Sequence, residues 1–275
     1  MDQTLHPGLY IVATPIGNLG DITLRAIEIL RGVSVIACED TRVTGKLLNR
    51  LEISKRMIRY DDHSNVRVRD DLIEQMQSEA VALVSDAGTP LISDPGFQLV
   101  RAAHSAGVAV TSLPGPSAAI VALTLSGLPT DRFLFAGFMP GKAKARGDTL
   151  EQLGQVPATL VFYETAPRLC DTLDAVAKLL AGREVSVARE LTKKFEECRT
   201  GWPGDLASHY RENPAKGEIV LMIAPPLPED YSAEQVTEML RQALAEFKPS
   251  QAAGVVAKRT GLDRKTLYAR ALELK

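Results

Sequence analysis

Short apolar runs alternate with amphipathic stretches through the first 130 residues. Runs at 9–13, 33–37, 57–60, 81–84 and 108–110 have the length and composition of buried strands. Between them, apolar residues recur at helical spacing over 22–30, through Leu47 and Leu48, and over 66–77, 97–106 and 117–126. This alternation predicts a largely parallel sheet covered by helices. The pattern pauses at Gly127-Leu128-Pro129-Thr130-Asp131, a hinge between domains. It resumes with strands at 133–138, 159–163, 185–188, 195–200 and 218–224 and helices near 148–153 and 168–180. These strands lie close together with turns between them, which predicts a mixed sheet. Pro225-Pro226-Leu227-Pro228-Glu229-Asp230 is a stiff linker. Beyond it the chain reads as all helix. Ser250 caps a helix ending near 260, Gly261 and Leu262 make the turn, and Asp263 caps the last helix. The fold class is therefore α/β, with two α/β domains at 1–130 and 131–226 and a helix-turn-helix-like tail at 231–275.

Charge adds a possible partner. The chain nets −2 overall. Lys248, Lys258, Arg259, Arg264, Lys265, Arg270 and Lys275 outnumber Asp263 and Glu273 after residue 247, leaving the tail at +5 and the rest at −7. Lys142, Lys144 and Arg146 form a second basic cluster between two glycines. Basic patches on an acidic body fit an anionic partner such as RNA, and they also fit solvated helical faces. The three cysteines are scattered, which suits a reducing cytosol, and the four histidines have no metal-ligand spacing, so no metal is expected. No apolar stretch reaches the roughly 18–20 residues of a membrane span. The first residues lack the basic start and apolar core of a leader.

The candidate chemistry lies where strands end, since open α/β sheets bind ligands outside the carboxyl ends of their strands. One run continues as Ser85-Asp86-Ala87-Gly88-Thr89-Pro90-Leu91-Ile92-Ser93-Asp94-Pro95-Gly96. Its acidic, small and kinking residues suit the wall of a small-molecule site, or an ordinary loop in which Asp caps and Gly turns. The first strand ends in Ala13-Thr14-Pro15-Ile16-Gly17-Asn18-Leu19, with neither dinucleotide nor P-loop spacing. The second ends in Glu39-Asp40-Thr41-Arg42, whose charges are costly to bury unless paired or functional. Its plain alternative is an Asp40–Arg42 surface pair with Thr41 as the helix cap. The fifth ends in Leu113-Pro114-Gly115-Pro116-Ser117-Ala118, small residues that open backbone amides to a ligand or simply allow tight packing.

In order and spacing, these four strand ends resemble the tetrapyrrole-methylase superfamily of S-adenosylmethionine (SAM) enzymes. The likeness extends to Phe162-Tyr163-Glu164, to Ala188-Arg189-Glu190-Leu191-Thr192-Lys193, to Lys216-Gly217-Glu218 and to the helical tail. Within the superfamily the chain is similar to bacterial enzymes that methylate the ribose 2′ hydroxyl of a cytidine in the 16S ribosomal RNA decoding centre. The resemblance implies a SAM cleft between two α/β domains, lined by Pro15, Asp86, Ala87, Gly88, Ser117, Ala118, Tyr163 and Leu191. It also implies a cytoplasmic homodimer acting on the small ribosomal subunit. Glu39, Asp40, Arg42, Glu190 and Lys193 are expected to face the methyl acceptor. Any of Glu39, Asp40, Glu190 or Lys193 is a candidate base or hydroxyl-orienting group, the lysine only if its pKa is lowered. Arg42, Arg168 and Arg189 are candidate phosphate clamps. Two other readings stand beside this one: methylation of a tetrapyrrole or protein side chain on the same fold, and a helix-turn-helix regulator that senses a ligand without catalysis.

Overall fold

The computed structural model describes residues 5–61, 66–227 and 231–274. Residues 1–4, on which the expectation about a leader partly falls, the end of the linker and Lys275 thus lie outside the described residues. Two units divide the chain, Met1–Pro225 and Pro226–Lys275.

The first unit holds two five-stranded sheets. In the first, strands β1 (Gly8–Val12), β2 (Val35–Cys38), β3 (Arg56–Arg59), β4 (Ala80–Val84) and β5 (Val110–Leu113) are ordered β3-β2-β4-β1-β5. Each pairing is parallel, as the alternating pattern requires. Helices α1 (Leu24–Gly32), α2 (Thr41–Arg50), α3 (Val66–Met76) and α4 (Phe97–Ser105) link them. Both faces of this sheet are apolar and covered, so β2 and β4 are buried along their whole length. The last strand starts later than the expected 108, because Val108 donates its N–H to Ala103 O and closes the end of α4 instead.

The second sheet is mixed, as expected. Strands β6 (Phe133–Phe138), β7 (Thr159–Thr165), β8 (Val185–Arg189), β9 (Glu197–Gly201) and β10 (Glu218–Ile223) run in the order β6-β7-β10-β8-β9. The β6–β7 pairing is parallel and the other three are antiparallel. Helix α5 (Ala118–Leu125) leaves the first sheet and packs on the second. Its Ala119, Ala122 and Leu123 share a core with Val161, Ala188, Val220 and Met222. The Gly127–Asp131 pause therefore follows a helix already anchored in the second layer.

Two helices depart from the sequence reading. Helix α6 (Ala143–Gly154) begins five residues before the expected 148. The supposed basic loop is thus its first turns, with Lys142 as N-cap and Arg146 buried. Ala143 to Arg146 are good helix formers, and Gly147 sits inside the helix rather than ending it. After α7 (Leu169–Leu179), helix α8 (Pro203–Glu212) was not expected; it buries Leu206, Ala207 and Tyr210 against α7 and its surroundings.

The second unit is α9 (Ala233–Glu246), α10 (Pro249–Thr260) and α11 (Arg264–Glu273) around a core of Val236, Leu240, Ala252, Val256, Leu267 and Ala271. Lys248, not Ser250, is the N-cap of α10, with Pro249 at the first helical position. Gly261 closes α10 at φ 72°, and Asp263 caps α11 by accepting from Thr266 N at 2.9 Å. No helix among the described residues is long and apolar enough to cross a membrane.

Candidate active site

The carboxyl ends of β1, β4 and β5 are laced together. Thr14 and Gly88 exchange backbone hydrogen bonds at 2.8 and 3.0 Å. Thr14 Oγ1 donates to Ser85 O, and Thr89 Oγ1 donates to Pro116 O. From the second sheet, the loop after β8 reaches this cluster. A Cβ on Gly17 would lie 2.6 Å from Lys193 Cγ, so only glycine lets the two loops meet.

The loops enclose a cavity of about 360 Å³, within the size range of small-molecule sites. One wall brings Ile16, Glu39, Asp86, Ala87, Gly88, Ile92 and Asp94 together, closed by Ser117 and Ala118 at the start of α5. Opposite stand Phe138, Tyr163, Glu190, Leu191 and Lys193, with residues 217–220 leading into β10. Tyr163 is braced edge-on by Phe135 at 4.9 Å and Phe138 at 5.3 Å.

The cavity is rich in acid. Burial, reinforced by Glu39 and Asp86, pushes the Asp94 carboxyl up to about 6. Burial first, then the Asp86 charge, raises Glu39. On the far wall Lys193 Nζ donates to Glu190 at 3.0 Å and lies 3.6 Å from Glu218. That hydrogen bond outweighs burial and holds Lys193 above the usual lysine value. Lys193 therefore stays charged, which removes it as a base.

Of the residues expected to face the acceptor, Glu39, Glu190 and Lys193 line the cavity, whereas Asp40 and Arg42 do not. Asp40 is the N-cap of α2, and its carboxylate accepts from the Arg42 amide at 2.8 Å and lies 2.6 Å from the Arg42 guanidinium. This is the plain surface pair, with Asp40 rather than Thr41 as the cap, and the Arg42 side chain is 87% exposed. The Asp40 link to the site is through its backbone, whose N–H donates to Asp86 Oδ1 at 3.2 Å. Of the residues expected around the donor, Asp86, Ala87, Gly88, Ser117, Ala118, Tyr163 and Leu191 line the cavity. Pro15 does not; its neighbour Ile16 turns inward instead. Sequence reasoning missed Asp94 although it had marked the segment containing it, because burial rather than residue type sets it apart. The resemblance marked Lys216-Gly217-Glu218 but gave Gly217 and Glu218 no role; both line the cavity from the amino end of an antiparallel strand, where no strand-end pattern operates.

The other expected phosphate clamps are engaged within the fold. Arg189 pairs with Glu197 at 3.1 Å, and Arg168 holds the fully buried Glu164 at 2.7 Å. In the tail, Lys248, Lys258, Arg259 and Lys265 are exposed. Arg270 is not free as expected: it donates to Ala233 O at 2.9 Å and to Thr237, tying α11 to α9.

With this geometry, the comparisons with known proteins fall into place. Residues 8–207 match the family described as Tetrapyrrole (Corrin/Porphyrin) Methylases, and the chain belongs to it: a SAM-dependent methyltransferase. Residues 230–275 match the RsmI C-terminal HTH domain. Among its relatives is the ribosomal RNA small subunit methyltransferase I of Erythrobacter litoralis, 63% identical over 276 residues, covering 99% of this chain and 97% of that one. The protein of the same name from Mesorhizobium japonicum is 48% identical over 276 residues, covering 99% and 94%. Solved structures share the fold at low identity. A diphthine synthase superposes with a TM-score of 0.62 at 15% identity over 78% of this chain and 89% of that one. Thermus thermophilus uroporphyrin-III-C-methyltransferase gives 0.55 at 19% over 80% and 94%.

The cavity suits the donor. Gly88 lines the cavity at φ 83°, a backbone conformation that side chains rarely adopt. Apolar Ile16, Ile92, Leu191 and Val220 offer contact area, and the carboxylates suit a cation.

Proposed function

We propose that this chain methylates the 2′ hydroxyl of a cytidine in the decoding centre of 16S ribosomal RNA, using SAM, within the small ribosomal subunit. The observation that carries the reading is the match to the ribosomal RNA methyltransferases along nearly the whole chain, tail included. Fold neighbours with other names share only the α/β body, so the fold alone does not choose the substrate.

SAM supplies an electrophilic methyl on a positively charged sulfur. Asp86, Ala87, Gly88, Ser117, Ala118, Tyr163 and Leu191 would hold it, and Ile16 replaces Pro15 in that set. Holding donor and hydroxyl in line accounts for most of the acceleration, roughly 7–11 kcal/mol where geometry is fixed. As the hydroxyl oxygen bonds to the methyl carbon, the carbon–sulfur bond breaks toward sulfur and the hydroxyl proton leaves. Glu39 has no hydrogen-bond partner among the described residues and a raised pKa, so it is the group proposed to take that proton, a contribution of about 10²–10⁴-fold. Lys193, fixed by Glu190, orients the acceptor. The exposed cations Lys248, Lys258, Arg259, Arg264 and Lys265 of the tail would contact RNA phosphates. A cytoplasmic homodimer completes the reading. Helix α5 is apolar on all sides yet leaves Ile120 and Leu125 exposed, as a face buried in a dimer would.

The test is methyl transfer from labelled SAM to small subunits isolated from an unmodified strain. Label in a 2′-O-methylcytidine of 16S RNA is the expected result. Label confined to a tetrapyrrole or a protein side chain, or no transfer at all, would refute the reading.

A further inference from the structure

The cavity and its rim carry opposite charge. Glu39, Asp86, Asp94, Glu164, Glu190 and Glu218 line the cavity against Lys193 alone among the described residues. Even with Glu164 neutralised by Arg168, a phosphodiester entering that space meets net negative charge. An anionic substrate must therefore have its phosphate received outside.

The rim offers a receptor beside Phe138, a cavity-lining aromatic that is 58% exposed. Three residues on, within about 10 Å of chain, Gly141 leads into α6, a helix of 12 residues. Its N-cap Lys142 makes no side-chain capping hydrogen bond, so the first amides of α6 are left to another acceptor. A Cβ on Gly141 would stand 2.9 Å from Arg168 Nη1. The absence of that Cβ brings the guanidinium against the turn. Arg168 uses Nε and Nη2 on Glu164, and Nη1 has no hydrogen bond among the described residues.

Arg146 is the independent observation that points to an anion. It lies one turn into α6 and is 6% exposed, with Nε buried and without a hydrogen-bond partner. Its ion pair, at 3.8 Å, is with Asp171 in the first turn of α7, an exposed carboxylate. Asp171 lies three residues after Arg168, the N-cap of α7, so this contact sets the Arg146 guanidinium at the same end of α7 as Arg168. A buried cation so loosely paired is costly unless a further anion compensates it.

We propose that the first turn of α6, with Lys142, the free edge of Arg168 and the buried charge of Arg146, is a receptor for one phosphate group. Its assignment to the backbone of the RNA rests on the function proposed above; the same chemistry would also take free phosphate. Two measurements on the full-length chain separate these sources. In the first, inorganic phosphate is titrated while backbone amide resonances are followed. Shifts centred on residues 141–146, lost in Lys142→Glu, are expected; no shift there overturns the receptor, whether or not the chain methylates RNA. In the second, methyl transfer to small subunits is measured for the wild type and Lys142→Glu. The KM for subunits should rise about tenfold and the salt slope of binding should fall by about one, with SAM affinity unchanged. An unchanged KM and slope in an enzyme that does methylate subunits overturns the RNA assignment, even where free phosphate binds. Lys142 is exposed, so this variant avoids the folding risk of replacing Arg146.

Discussion

Asp94 carries the most unusual chemistry of any side chain at the site. Its neighbour Ser93 sits at φ 60° and Leu91 at 72°, while Glu190 and Thr192 across the cavity sit at 51° and 62°. Four non-glycine residues in the left-handed region around one cavity mark strain held for function. Asp94 binds its proton up to about pH 6 when folded, against 3.8 ordinarily. Folding therefore takes up a proton between these values. The stabilising effect is complete below pH 4 and lost as pH rises through 6. Asp94→Asn should thus stabilise the protein at pH 7.5, by about 1–2 kcal/mol once partial solvent screening is allowed for, and not at pH 4. Thermal unfolding at both pH values checks this, and equal gains at both would speak against it. The same variant should weaken SAM binding at pH 7.5 and not at pH 5, because only the ionised carboxylate attracts a cation. Lys193→Arg should keep most activity and Lys193→Met should lose at least tenfold in kcat, since the charge held between Glu190 and Glu218 is what matters. A Lys193→Met enzyme with full activity would remove that role.

Elements placed the site more legibly than they revealed its chemistry. The parallel strands β1, β2, β4 and β5 were readable as apolar runs, and the sheet rule marked the loops after them as a site wall; the family resemblance then singled out Asp86, Ala87, Gly88 and Ser117, which line the cavity. The second wall was harder to read, because antiparallel β10 brings in its amino end, where no strand-end pattern operates. Asp40 and Arg42 were misplaced because a capping carboxylate and a catalytic one have the same sequence signature. The start of α6 was hidden by reading Gly141 and Gly147 as the borders of a loop. Gly217 shows how closely the second wall is fitted. At φ 80°, a Cβ there would lie 2.7 Å from Glu190 Cδ, so Gly217→Ala must displace the partner of Lys193. A loss of about 1–3 kcal/mol in stability, with a larger fall in methyl transfer, is expected. Denaturant unfolding alongside activity measures both, and a variant with unchanged activity would show that Glu190 need not be held.

At the scale of the whole molecule, the body contains the cavity and the tail carries the exposed basic residues Lys248, Lys258, Arg259, Arg264 and Lys265. A chain ending at residue 225 should keep its SAM affinity and lose affinity for small subunits, with a shallower salt slope; equal subunit affinity would show that the tail does not contact RNA. The account depends most on the donor occupying the cavity between the two sheets. Calorimetric titration of the full chain with SAM tests it directly, using Ala118→Trp to fill the cavity from the start of α5. One SAM bound per chain, with binding lost in a variant that still unfolds cooperatively, is the expected result. No heat from SAM or from S-adenosylhomocysteine, or binding that survives Ala118→Trp undiminished, would contradict it.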